Sequence, residues 1–225
     1  MGLNIQLPDV VFTKHIGNLI PSGENLKGYW LFNGTLEESI INRVTGVSGT
    51  VVGNPQVSNG KISTSKANGF ISDVAISGEK TFIAVSKFTS AAILLGSINY
   101  DVPTTGNEGI AVFGGKPLIQ LDGSSRPQST NSPNLDQVHL VAGSIGSTSN
   151  SLFVSSNGNL TEETASHTGN LADTSFLRIG AWGVNSTALV GTTETYAALA
   201  FNKKLSNTEI IELYEYLLSI LPVNF

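Results

Sequence analysis

FLRIGAWGVNSTALVGTTETYAALAFNKKLSNTEIIELYEYL, Phe176 to Leu217, decides the fold. It opens on a short β run, Phe176 to Ile179, and passes through a Gly-rich turn, Gly180 to Gly183. A second β run, Thr195 to Phe201, follows, and Ser206-Asn207-Thr208-Glu209 then forms a capping box: Ser at the N-cap and Glu three residues on satisfy free backbone donors. Ile210, Leu213, Tyr214, Leu217, Leu218 and Leu221 recur at helical spacing, and Pro222 ends the run. Strand, loop, strand, single amphipathic helix is how this chain closes.

Outward from that stretch the pattern is β throughout. Short alternating or β-branched runs occur at Gly28–Phe32, Gly49–Val52, Lys61–Ser63, Thr81–Phe88, Ala92–Ile98, Gly109–Phe113, Pro117–Leu121, Gln137–Ser144 and Ser151–Ser155. Asn33-Gly34, Asn59-Gly60, Asn68-Gly69, Gly114-Gly115, Asp122-Gly123 and Asn157-Gly158 punctuate them. Such pairs tolerate the positive φ angles that tight hairpins require. Strands of this length with regular turns predict a sandwich or jelly roll. Asp101 to Ser132 breaks the pattern, and its end, Ser124 to Ser132, reads as an exposed loop. Residues 1–26 read as an N-terminal arm or an edge strand, and residues 27–225 as one sandwich domain that includes a helix over 206–221.

Composition excludes several function classes. The 225 residues carry 13% charge, a net charge of -5, 40% hydrophobic residues and no Cys. That balance is the opposite of the disordered signature. Without Cys there are no disulfides, Fe–S clusters, thiolate zinc sites or cysteine nucleophile. Basic residues are scattered, Lys203-Lys204 being the nearest pair, so no nucleic-acid partner is expected. No stretch approaches the roughly 20 apolar residues of a spanning helix, so no membrane insertion is expected. Met1 to Ile20 lacks a basic start and an unbroken apolar run, so a product made in the cytoplasm is expected.

Three ordered segments, GYWLFNGTLEES (Gly28–Ser39), FISDVAISGEKTFIAVSKF (Phe70–Phe88) and the closing stretch above, resemble the laminin-G-like branch of the concanavalin A-like lectin/glucanase superfamily. Gln137-Val138-His139-Leu140-Val141-Ala142 is similar to that family's middle strand. The resemblance implies an all-β, concanavalin A-like jelly-roll sandwich of two antiparallel sheets with a C-terminal α-helix. It also implies a non-enzymatic module that binds a carbohydrate or a host receptor. Abundant Gly, Ser, Thr and Asn is similar in style to bacteriophage tail and virion proteins. That likeness implies location on a virion, other virion subunits as partners, and a homo-oligomer such as a trimer.

Catalytic constellations are missing. The glucanase motif Glu-x-Asp-x-Glu, which sets two carboxylates on one sheet face roughly 5–9 Å apart, does not occur. Glu37-Glu38 and Glu162-Glu163 are adjacent pairs whose side chains diverge if extended. His15, His139 and His167 have no ligand partner at helical spacing; His139 reads as a satisfied strand histidine and His167 lacks a nucleophile and orienter. The expectation is therefore no enzyme, no catalytic residue and no resident metal, with a purely structural virion or assembly protein as the alternative and a divergent glycan-active hydrolase as the third reading. Calcium, which takes six to eight oxygen ligands, finds candidates only in Asn99-Tyr100-Asp101 and in Asp122 with Ser124 and Ser125, neither a recognisable loop.

For a glycan, aromatics stack on pyranose faces while amides, carboxylates and guanidinium groups direct hydrogen bonds. Trp182 is the leading candidate, with Asn185, Tyr100, Asp101 and Arg126 beside it; Trp30 belongs to the core. A stacking Trp182 predicts that Trp182→Ala abolishes binding without unfolding. Its alternative is a core-edge residue that closes one end of the sandwich. The apolar excess of the C-terminal helix, Ile210-Ile211, Leu217-Leu218, Ile220-Leu221 and Phe225, meets either the N-terminal arm or another subunit.

Overall fold

The computed structural model describes residues 20–101, 107–121, 126–156, 158–167, 171–185, 187 and 189–225. His15, Asp122, Ser124, Ser125 and most of the 1–26 segment lie outside the described residues. Among the described residues, fourteen strands and two α-helices follow in chain order: β1 (Leu26–Leu31), α1 (Leu36–Ser39), β2 (Thr50–Val52), β3 (Gln56–Ser58), β4 (Lys61–Ser65), β5 (Gly69–Ile71), β6 (Lys80–Phe88), β7 (Ala91–Gly96), β8 (Gly109–Phe113), β9 (Lys116–Gln120), β10 (His139–Ile145), β11 (Ser149–Ser156), β12 (Asn159–Ser166), β13 (Arg178–Gly180), β14 (Thr192–Phe201) and α2 (Asn207–Ile220).

They form two antiparallel sheets. The larger has eight strands in the order β12-β11-β10-β6-β14-β4-β3, with β1 also paired to β14; the smaller runs β2-β5-β13-β7-β8-β9. This is the sandwich with a C-terminal helix that the sequence predicts. Among the described residues no helix is long and apolar enough to cross a membrane.

The period-2 alternation of each strand sorts side chains into layers. On β6, Phe82 and Ala84 enter the core between the sheets, while Ile83 and Val85 face the opposite way, under α2. Tyr29 and Trp30 divide in the same manner, and Trp30 lies against Phe70 with ring centroids 6.0 Å apart. The large sheet is thus buried on both faces at its centre, which is why β6 and β14 read as nearly continuous apolar runs. Gly143 on β10 lets the small sheet come close: a Cβ there would stand 2.6 Å from Ile110 Cγ2 and 3.0 Å from Ile119 Cγ1.

Helix α2 covers the outer face with Ile210, Leu213, Tyr214 and Leu217. Burying an aliphatic side chain of this kind contributes about 1.5–3 kcal/mol. Its N-terminus carries the capping box read from sequence, the Glu209 carboxylate accepting from the Ser206 amide at 2.9 Å. Glu209 also accepts from Lys203 Nζ at 2.7 Å and from Ser22 Oγ at 2.6 Å. Burial acts to raise this carboxyl, but those donors outweigh it and hold it at about 2, against an ordinary value of 4.5. A depressed carboxyl stabilises the fold fully above its unfolded value and loses that contribution as pH falls toward the folded one. Stability is therefore expected to drop between pH 4.5 and 2, and Glu209→Gln to flatten that limb in urea titrations repeated across the range.

Candidate functional site

A third apolar cluster lies on the outer face of the small sheet, away from both main cores. It joins Ala92, Ile93 and Ile98 to Ala111 on β8, Leu118 on β9, and Trp182 and Leu189 from the segment between β13 and β14. Above it opens a cleft of about 520 Å³ whose lining includes Tyr100, Phe113, Gln120, Arg126, Gln128 and Leu189 over a floor of Ala111 and Leu118. Small-molecule sites commonly measure about 300–1,000 Å³.

Strand alternation builds one wall. In the β8–β9 hairpin Ala111 pairs with Leu118 and Gly109 with Gln120, so Leu118 and Gln120 share the outward face, while Ile110 and Ile119 turn into the core between the sheets. The chain then returns alongside β9. The Ile119 amide donates to the Pro127 carbonyl at 3.1 Å, the Ser129 amide to the Pro117 carbonyl at 2.8 Å, and Gln128 bridges to Leu118. Arg126, Gln128, Thr130, Asn131 and Ser132 are exposed, as the sequence reading expects of Ser124 to Ser132, but residues 126–129 are tied to the sheet, and this backbone pairing sets Arg126 and Gln128 against the cleft. Arg126 Nη1 donates to Gln120 Oε1 at 2.7 Å.

The opposite wall is two loops clamped together. The Tyr100 amide donates to the Trp182 carbonyl at 2.7 Å. The Asp101 carboxylate accepts from the backbone amides of Val184 at 3.0 Å and Asn185 at 2.9 Å. The bond from the Asn185 amide leads the effects that lower the Asp101 carboxyl below its ordinary range. Gly183, at φ 126°, permits this: a Cβ there would stand 2.9 Å from the Asp101 nitrogen.

Hydrogen bonds thus bring Tyr100, Asp101, Trp182 and Asn185 together, and of the five residues singled out from sequence Tyr100 and Arg126 line the cleft; their roles differ. Tyr100, 41% exposed, and Arg126 line the cleft. Burial raises the Tyr100 phenol, with the nearby Arg126 charge pulling the other way, so it remains a neutral hydrogen-bond donor. Asp101 holds the wall together, and Asn185 does so through its backbone amide. Trp182 is fully buried, with Nε1 donating to the Leu189 carbonyl at 2.9 Å. Its indole has no face toward solvent, so it supports the site from beneath instead of stacking on a ligand. The sequence reading missed Phe113, 54% exposed, together with Gln120 and Gln128; the outward alternation Lys116-Leu118-Gln120 was the available signal.

The two described histidines are buried away from this cleft. His139 Nδ1 and Nε2 lie 2.7 and 2.8 Å from the carbonyl oxygens of Ser155 and Asn134, and His167 Nδ1 lies 3.4 Å from Asn150 Nδ2. Glu162 and Glu163 diverge as adjacent strand residues must, toward Asn207 and Thr130 respectively. Among the described residues no group of three His, Asp or Glu side chains is placed to hold a metal ion. At Asn99-Tyr100-Asp101, one of the two calcium candidates, Asn99 Oδ1 accepts from the Asp101 amide at 3.1 Å, and the Asp101 oxygens face N–H donors.

No family model matches the sequence, and no curated protein matches it. Solved structures do. A sialidase of Trypanosoma rangeli in complex with sialic acid superposes with a TM-score of 0.61 at 14% identity, over 87% of this chain and 34% of its own. Botulinum neurotoxin type C, whose cell entry is described as dependent on two ganglioside molecules, gives 0.62 at 10% identity, over 86% and 51%. The binding domain of botulinum neurotoxin DC in complex with SialylT gives 0.59 at 10% identity, over 86% and 52%. The chain spans about a third of the sialidase and about half of each toxin chain. At these identities the likeness establishes the fold alone: a β-sandwich of two antiparallel sheets.

Proposed function

We propose that this chain is a non-catalytic carbohydrate-binding module and that the glycan occupies the cleft on the outer face of the small sheet. The observation that carries the reading is the lining itself. Two exposed aromatic rings, Tyr100 and Phe113, stand beside the amides of Gln120 and Gln128 and the guanidinium of Arg126, above a buried apolar floor. Aromatic faces take the C–H side of a sugar ring, and amides and guanidinium take its hydroxyls. The similar structures support it: those proteins include one holding sialic acid and one dependent on gangliosides. The described lining contains no carboxylate pair, histidine or hydroxyl–base couple on which a hydrolytic mechanism would rest.

A glycan array on the folded protein tests this directly. We expect a specific, saturable hit that Tyr100→Ala weakens about five- to tenfold without lowering the melting temperature by more than a few degrees; a lost stacking contact of about 1–1.4 kcal/mol corresponds to that factor. A blank array, or a hit indifferent to Tyr100→Ala, contradicts the assignment.

A second reading, a structural subunit of a virion or similar particle, has its own observation. Ile211, Leu218 and Ile220 remain exposed on α2. It calls for a stable homo-oligomer in sedimentation equilibrium that Ile211→Glu dissociates, and no glycan signal.

A further inference from the structure

The electrostatics of the cleft narrow the kind of sugar, given the glycan-binding reading on which this step rests. The chain as a whole carries a net charge of -5, yet the described lining of the cleft includes one full charge, and it is positive: Arg126. Among the described residues Arg126 forms no ion pair. Its hydrogen-bond partner is the side-chain oxygen of Gln120, 2.7 Å from Nη1. A neutral amide orients a guanidinium without cancelling its charge. A carboxylate at position 120 would do both. Asp101, the acidic group on the facing wall, has each carboxylate oxygen bonded to a backbone N–H.

A planar guanidinium presents five donors in a fork that matches a carboxylate edge, and one Gln bond leaves most of them available. Charge-assisted bonds of that kind are roughly twice as strong as neutral ones. The aromatic and amide groups around Arg126 suit a saccharide ring, and the cation suits an acid carried on it. We infer that the cleft selects carboxylate-bearing saccharides, with Arg126 as the residue that reads the acid and Gln120 as the residue that positions it. Sialic and uronic acids both supply that carboxylate, since both present the same group on a pyranose ring.

Matched pairs test this by calorimetry: sialyllactose against lactose, and a glucuronate-containing tetrasaccharide against its carboxyl-reduced form. The wild-type protein is expected to bind at least one acidic member about tenfold or more tightly than its neutral partner, less so as salt rises. Which acidic member binds separates the two sources. Arg126→Gln is expected to abolish the preference, so that the acidic and neutral members bind alike, both more weakly for the lost contacts to hydroxyls; Arg126→Lys, which keeps the charge and loses the fork, retains an intermediate preference. Arg126 lies on the surface, and circular dichroism checks the fold of each variant. Equal binding of acidic and neutral members, or a preference that survives Arg126→Gln, overturns the inference while leaving the carbohydrate reading standing. No binding of any member, with a blank array, overturns both.

Discussion

Trp182→Ala is expected to lower unfolding stability by about 3–5 kcal/mol, the range for removing a large buried aromatic. The indole is fully buried among Ala92, Ile93, Ile98, Ala111, Leu118 and Leu189, and its Nε1 bonds the Leu189 carbonyl. Removing it opens a cavity under the cleft floor and takes away the indole N–H bond to that carbonyl. Binding falls along with stability, because Leu118 and Leu189 line the cleft and rest on the same cluster. Chemical denaturation with intrinsic fluorescence checks the value, Trp30 remaining as the reporter. A loss under 1 kcal/mol would contradict the placement of the ring. Trp182→Phe, which keeps most of the volume, is expected to recover over half of the loss.

Lys80→Met is expected to cost a similar amount, about 3–5 kcal/mol, through charge instead of volume. Lys80 opens β6 with its side chain completely buried, and its ammonium lies 2.5 Å from Glu108 Oε2, itself 4% exposed. The ammonium also donates to the Ala172 carbonyl, and Glu108 Oε1 accepts from the Ala172 amide at 3.4 Å. One ion pair thus joins β6, the entry to β8 and the segment before β13. Removing the lysine strands a carboxylate in the interior; removing both charges does not. The double variant Lys80→Met/Glu108→Leu is therefore expected to recover most of the loss, since replacing a whole buried pair by apolar groups is often neutral. Equilibrium unfolding of the two single variants and the double completes the cycle. Single-variant losses below 1 kcal/mol, or a double variant as unstable as their sum, would show that the pair is not desolvated as described.

The sandwich was legible because its central strands are buried and its turns are marked. Asn59-Gly60 adopts the φ angles of 52° and 76° that its residue types favour, joining β3 to β4. The α2 capping box was legible for the same local reason. Strand β12, NLTEETAS, was largely hidden because it is the outer edge of the large sheet and alternates between exposed and half-buried positions, with no apolar face to read. Helix α1 has a full capping box at Thr35 and Glu38, but four residues are too few to show a helical period. At the cleft, sequence pointed to Tyr100, Asp101, Trp182, Asn185 and Arg126, and of the two readings it left for Trp182, stacking surface or core edge, the buried ring takes the second. Gly180, Ala181 and Gly183 all take positive φ around it, so strand alternation does not carry through the turn. Gln128 was hidden because its pairing with Leu118 is a long-range backbone choice that a Pro- and Ser-rich segment does not advertise.

The most direct test of the central claim is an amide-resolved NMR titration of the ¹⁵N-labelled protein with the best glycan from the array. Among the described residues, the account predicts shifts confined to 98–101, 111–120, 126–129, 182–185 and 189–191, in and around the cleft, with saturation at one equivalent. Shifts centred on Val138, Tyr214, Leu218 and Phe225, which line a separate groove beneath α2, or no shifts at all, would contradict it.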